Sequence, residues 1–535
     1  MPTITRIGAN TAIVSAFILL LPLVATDVPR AGLEYAGIRI IVSVRIIASM
    51  RFGRHPGGGD TRAVLEAGVR QEISRDAWLS LVVIILASLL IALDTTVVNL
   101  ALPSIIAHFP GHDADWVVTT YLIGLGLSQP GAAWLIDRFG GRRTMIGSLA
   151  LFTIAAFVGG MAWSFPVLVT ARTVQGLAGG SLIPVSLAVV AHAFPPQRRG
   201  WVMGVWSTAS LVAPALGPLI GGYLLTVVSW RWAFWLNVPL GLVALVFALL
   251  WLRDYVEPTR PRLDLVGWFL ASVALLALLI AFAQADQWHW LSLRTLCLLV
   301  LAAVALWALI AYERRTPSPL LALETFSSPG FVLTMAIIGL GSIAYLSRLV
   351  FVPLQLISLR GLSPLRVGWM LMPAAIGAMC VLVVGGGWID RRGPRPLILA
   401  GSVFLVLSHA ALGQLTLHSS YVWISSVMVL QSMGASLVIL PATVAALNNL
   451  PPRYAGQVAM LRSIVRQVGG AFGVAALSSM LRANVGRLDA ANPIDRPAIQ
   501  QGYNRLFWVM VVVAAITFAL ALPLRRPVTS RAITT

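Results

Sequence analysis

WLSLVVIILASLLIALDTTVVNLALP, residues 78–103, is an apolar run with a single acid in it. It exceeds the roughly 20 residues that carry a helix across a bilayer. Its close, Leu93-Asp94-Thr95-Thr96-Val97-Val98-Asn99-Leu100-Ala101-Leu102-Pro103, sets a carboxylate well inside the run. A carboxylate in hydrocarbon costs about 2.5–3.5 kcal/mol on insertion scales, so it is expected to face a cavity, a proton path or a cationic partner. Asp94 is the one acid that falls deep within a span. Any mechanism that moves a proton or a cation through this chain therefore has to use it.

The remainder repeats the pattern. Hydrophobic residues make up 58% of the chain and charged residues 11%, against about 45–50% and about 25% in soluble domains. The charges lie between apolar runs of about 20 residues, the signature of an all-α, multi-pass membrane protein. A β-barrel would alternate in short strands. The net charge of +19 comes from arginine alone among the basic types. The arginines cluster at span ends, which points to topology and anionic lipid and excludes nucleic acid as partner. Cys297 and Cys380 lack CxxC spacing, so neither a disulfide nor a metal site is expected. No phosphate-binding GxxxxGK[ST], His-Cys cluster or G-x-S-x-G is present, so neither an enzyme nor a cofactor is expected. His192 and His409 stand alone in apolar runs and read as core or interface residues.

The spans fall near 79–104, 115–136, 144–163, 166–193, 200–225, 232–252, 265–284, 295–312, 330–357, 366–388, 396–416, 421–447, 457–482 and 505–524. Residues 1–75 carry two runs too short to span and read as a poorly ordered leader or an N-terminal extension. The reading divides the main body into a six-helix bundle over 76–253, a linker with two inserted helices over 254–315, a second six-helix bundle over 316–526 and a tail from 527 to 535. Arginine pairs or triplets follow spans 2, 4, 8, 10 and 14, which places those loops and both main-body ends in the cytoplasm. Arg482, Arg487 and Arg496, after span 13, run mildly against the rule; that loop is long. The turn Asp137-Arg138-Phe139-Gly140-Gly141-Arg142 after span 2 recurs as Asp390-Arg391-Arg392-Gly393-Pro394-Arg395 after span 10, as a duplicated bundle would have it.

These residues resemble the major facilitator superfamily. Ala133 to Arg142 is similar to its G-x-L-x-D-R-x-G-R-R loop, with Ala133 and Gly141 as departures. Arg172-Thr173-Val174-Gln175-Gly176 resembles its R-x-x-Q-G segment, and Pro214 to Gly222 its antiporter signature G-P-x-x-G-G. Fourteen spans, Leu93–Pro103, Trp230–Pro239 and Arg466–Gly470 together look like the EmrB/QacA-type drug:proton antiporter branch. The resemblance covers about 78–525. It implies the major facilitator fold and proton-driven export by alternating access, in a bacterial plasma membrane and with no cofactor. Protons, membrane lipids and a small amphipathic or cationic compound are the implied partners, and a monomer is expected. A dedicated exporter of one metabolite or antibiotic is the alternative within transport. A membrane sensor or scaffold is the alternative outside it.

Depth brings two candidates together. Asp94 lies about 22 Å up span 1, and Arg172 about 10 Å down span 4, at 1.5 Å per residue. Both fall in the outer half of a core about 30 Å thick. They are expected to face one cavity and interact, with Gln175 one turn away and Asn99 and Tyr121 as further candidates; the bland reading is a static buried ion pair. The resemblance makes Asp137 and Arg138 a gate latch turned by Gly140, and Asp390, Arg391 and Gly393 its second copy. Gly204, Pro214, Gly217, Pro218, Gly221 and Gly222 are expected to make span 5 a bent, close-packed hinge. Arg348 reads as a snorkelling residue near the outer end of span 9.

Overall fold

The computed structural model describes residues 74–524 apart from 111–114, 210–228, 255–263, 317–320, 452–453 and most of 486–493. The expected leader up to residue 73 and the tail lie outside the described residues, as do Pro214, Gly217, Pro218, Gly221 and Gly222. Six helices come first: α1 (Arg75–His108), α2 (Asp115–Phe139), α3 (Gly141–Gly160), α4 (Phe165–Ala193), α5 (described over 196–209) and α6 (Asn237–Trp251). A pair follows, α7 (Leu265–Trp288) and α8 (Leu293–Glu313). Six more close the chain: α9 (Pro329–Arg360), α10 (Pro364–Arg392), α11 (Arg395–Leu412), α12 (Tyr421–Asn448), α13 (Ala455–Val485) and α14 (Arg496–Ala521). The fold is two six-helix bundles with an inserted pair between them. Among the described residues, 12 helices are long and apolar enough to cross a membrane by length and composition. The described part of α5 and α2, with Thr119 and Thr120 near its start and Ser128 and Gln129 at mid-length, are not among them.

Helix ends are where sequence and structure differ most. α14 begins at Arg496, nine residues before the expected span, because its polar first turns are held rather than solvated. Gln500 Nε2 and Asn504 Nδ2 each donate to the Leu415 carbonyl at 3.0 Å. The repeated turn is one backbone shape used twice. Gly140 has φ 85° and Gly393 φ 80°, a region that glycine alone enters freely. Each donates its N–H four residues back, to Ile136 at 2.8 Å and to Ile389 at 2.9 Å.

Small residues set the helix spacing. A Cβ on Gly176 would collide with the Tyr121 carbonyl oxygen, so α4 lies against α2 at backbone distance. A Cβ on Gly204 would collide with the Leu382 carbonyl oxygen, and one on Gly386 with that of Gly200. This close seam joins α5 of the first bundle to α10 of the second. Hydrogen bonds between the bundles include Gln129 to Gln467 at mid-helix, at 2.7 Å, and, at the arginine-rich end, Arg199 Nη1 to Asn448 at 3.2 Å and the Gly200 and Trp201 N–H groups to Asp390. Arg199 also donates to the carbonyls of Ala191 and Phe194, closing the C-terminus of α4. α7 lies against both bundles. Trp268 donates to the Leu127 carbonyl of α2 at 3.0 Å. At the other end Phe282 packs on Phe472 of α13, and Trp290 donates to Ser479 at 2.8 Å. Trp230 is buried among Phe109, Phe234 and His108.

Candidate functional site: a buried polar network in the first bundle

α1 presents its acid sideways. Thr95 and Thr96 donate to the carbonyls one turn back, at 3.0 and 2.8 Å, so their hydroxyls are spent within the helix. Asp94, 0% exposed, faces α4 and α6. Its Oδ2 accepts from Arg172 Nη1 at 2.8 Å. Its Oδ1 accepts from Gln175 Nε2 and from Asn237 Nδ2, both at 2.8 Å. Arg172 is held from every side. Nε donates to the Val117 carbonyl at 3.1 Å and Nη1 to Gln175 Oε1 at 2.8 Å. The Tyr121 ring lies 4.2 Å from the guanidinium carbon, a cation–π contact, and the Phe234 ring 5.8 Å away. The glycine contact between α2 and α4 brings Val117 and Tyr121 this close.

This is a charge-assisted network in a buried interior, where such bonds are strongest and a missing partner is most costly; Asn237 Oδ1 is its unpartnered acceptor among the described residues. A proton taken up by Asp94 would cancel the charge that orders Arg172, Gln175 and Asn237. The arrangement can therefore exist in two forms, locked when the acid is charged and loosened when it is neutral. No group of acids, histidines and cysteines able to hold a metal occurs among the described residues.

Of the residues expected here, Asp94, Arg172, Gln175 and Tyr121 come together. Asn99 does not: it is exposed on another face of α1. Tyr121 is buried and stacks on Arg172. Asn237 was missed as a site residue. Its signal was legible, a lone polar side chain at the head of an apolar run. The turn Trp232–Trp235 delivers it to the first position of α6.

At the arginine-rich end Asp390 accepts the N–H groups of Gly200 and Trp201, at 2.8 and 2.9 Å, near the start of α5. That is the favourable end of a helix dipole for an anion. Asp137, its counterpart just beyond span 2, is half-buried and accepts no hydrogen bond among the described residues. Burial pushes its carboxyl up to about 6. Arg138 and Arg391 are exposed in the last turns of α2 and α10.

Arg348 overturns its expectation. It is buried, not snorkelling, because it projects from the face of α9 that also carries Ala344 and Gln355, opposite exposed Leu349, Val350 and Ile357. His409 is a core residue and His192 is half-buried, each ring Nδ1 bonded to the carbonyl one turn back.

The chain matches the family model of the Major Facilitator Superfamily over residues 84–474. It is 32% identical to the "Multidrug resistance protein Stp" of Mycobacterium tuberculosis over 414 residues, 77% of each chain. It is also 32% identical to the "Tetracenomycin C resistance and export protein" of Streptomyces glaucescens, over 76% of this chain and 77% of that one. Among solved structures, the human organic anion transporter MFSD10 superposes with a TM-score of 0.58 at 16% identity, covering 82% of this chain and all of that one. The proton:xylose symporter XylE gives 0.58 at 15% identity, over 82% of this chain and 95% of that one. At such identities the likeness concerns the fold alone.

Proposed function

The chain belongs to the major facilitator superfamily, and on that footing we propose that it is a proton-coupled antiporter exporting small amphipathic compounds, cationic drugs among them. It works by alternating access in a bacterial plasma membrane, with its arginine-rich ends in the cytoplasm. The observation that carries this reading is Asp94, an acid held deep in α1 by Arg172, Gln175 and Asn237. With Asp94 charged, the network ties α1 to α4 and α6. Protonation releases it, so that a proton entering from outside changes how the first bundle packs. The seam of α5 with α10, latched by Asp390, closes the cytoplasmic end in this conformation. Release of the latch would open it to solute. The names of the two relatives at 32% identity support drug export. The Streptomyces glaucescens relative also favours a second reading, a dedicated exporter of one antibiotic or metabolite.

The test is substrate-driven proton movement in proteoliposomes, with a panel of cationic dyes, for the native chain and Asp94→Asn. A dye that drives proton movement in the native protein, with coupling lost in Asp94→Asn, supports antiport through this acid. Equal coupling in the variant makes the network a static support and sinks the mechanism. No dye-driven proton movement in the native chain removes the antiport reading itself.

A further inference from the structure

The two bundles carry opposite charges at corresponding places. Asp94 and Arg348 each lie 19 positions from the first residue of their helices, Arg75 and Pro329. Gln175 and Gln431 each lie 10 positions into α4 and α12, which begin at Phe165 and Tyr421. The residue in α12 corresponding to Arg172 is Met428. The second bundle thus repeats the first with an arginine in place of the acid and a thioether in place of the counter-ion.

Asp94 is saturated with donors; Arg348 has no hydrogen-bond partner among the described residues. It is 8% exposed. Among the described residues it makes no hydrogen bond and meets no carboxylate, and its buried Nε has no partner. The Tyr345 ring lies 5.8 Å from the guanidinium carbon. Gln431 donates to the carbonyl of Ala344, one turn before Arg348, at 3.3 Å, which brings α12 alongside. Orphaned acceptors cluster on the same two helices: Gln431 Oε1, Ser432 Oγ, Ser347 Oγ and Gln355 Oε1 are all buried without a partner. Buried polar groups are almost always satisfied, and a buried charge is almost always paired. A guanidinium is a planar fork of donors that matches a carboxylate or enolate oxygen pair. The unpartnered acceptors on the same two helices suit hydroxyls next to such a group.

We propose that Arg348, with Gln355 and Gln431, is the recognition point for an acidic oxygen group on transported compounds, so that the amphipathic solutes include organic acids or zwitterions beside the cationic ones. The proposal rests on the transport reading and adds the chemical class of the solute. It also explains why the chain keeps an arginine where an apolar residue would be more stable without ligand.

The experiment titrates two aromatic probes of similar size, fluorescein as anion and ethidium as cation, into the purified full chain, reading tryptophan fluorescence and unfolding temperature. Fluorescein is expected to raise the unfolding temperature of the native chain and to bind Arg348→Gln at least tenfold more weakly. Arg348→Lys, a point charge without the fork, falls between them. Arg348→Met, measured without probe, unfolds at a higher temperature than the native chain and shows no fluorescein shift. A structural partner would give the opposite sign. Fluorescein binding that is absent from the native chain, or equal in Arg348→Gln, overturns the proposal. So does the full shift produced by chloride alone, which would make the site one for an inorganic ion. Both probes are also followed in proteoliposomes under a pH gradient. If neither moves, the transport reading fails while the titration still decides the role of Arg348.

Discussion

Asp94 and Arg172 test whether a buried ion pair supports the fold or only supports function. Removing one partner leaves an uncompensated charge in a dry interior, at a cost of about 3–5 kcal/mol. Arg172→Met is therefore expected to lower the unfolding temperature sharply, and Arg172→Met with Asp94→Asn to recover most of the loss. A double-mutant cycle in detergent reads the difference as coupling. Additive single effects would mean that Asp94 is already neutral beside Arg172. Asp137 gives a second residue-scale test, with its sign set by burial. Its carboxyl rises from the usual 3.8 to about 6 in the folded chain. Between those values the folded state binds more protons than the unfolded state, so this group's contribution to stability falls as pH rises from about 4 to 6. Unfolding temperatures of the native chain and Asp137→Asn across pH 4–7 should diverge over that window, with the variant relatively more stable at its upper end. Parallel curves would mean that Asp137 has a partner in the folded chain. Both acids were legible in the sequence, Asp94 by its depth and Asp137 by its motif. Arg348 was not read correctly, because depth along a helix says nothing of which face a residue occupies. Its sequence neighbours Leu349 and Val350 are exposed while it is buried.

At the scale of helices, the seam of α5 and α10 depends on two glycines that allow backbone contact. Gly204 was singled out in the sequence as a packing position; its partner surface, Leu382 and Gly386 on α10, was not, because the pairing joins residues far apart in the chain. Helix existence and order were legible from apolar runs of membrane length. Helix ends were not, since polar first turns such as that of α14 are stabilised by tertiary hydrogen bonds. A side chain at either glycine must push the helices apart. Gly204→Val or Gly386→Val is expected to disfavour the conformation closed at the arginine-rich end, and Asp390→Asn to weaken the same contact by removing the charge that meets the start of α5. Spin labels on a cysteine-free background at Arg198 and Arg391, both exposed, would report this as a shift of several ångströms towards longer distances in the glycine variants and a broadened distribution in Asp390→Asn. Unchanged distances would show that the seam tolerates a branched side chain and does not hold the end shut.

For the whole molecule, the inserted pair raises the question of what a strap does between two bundles that, under the proposed alternating access, rock against each other. α7 is bonded to the first bundle near one end, through Trp268 to α2, and the turn that follows its other end is bonded to the second, through Trp290 to α13. A helix tied diagonally in this way resists relative rotation, because the bundles cannot move apart without breaking one tie or carrying the strap with them. Each indole bond contributes about 0.5–1.5 kcal/mol net. If it is made only in the conformation described here, its loss lowers the barrier to leaving that conformation by a similar amount, and about 1.4 kcal/mol is a tenfold rate. Trp268→Phe and Trp290→Phe keep most of the ring packing and remove only the donor. Each is expected to lower the unfolding temperature slightly and to raise turnover in proteoliposomes two- to tenfold, with the double variant near the product of the two. A fall in turnover would invert the argument: α7 would then be the pivot on which the bundles turn, and its ties would have to persist through the cycle.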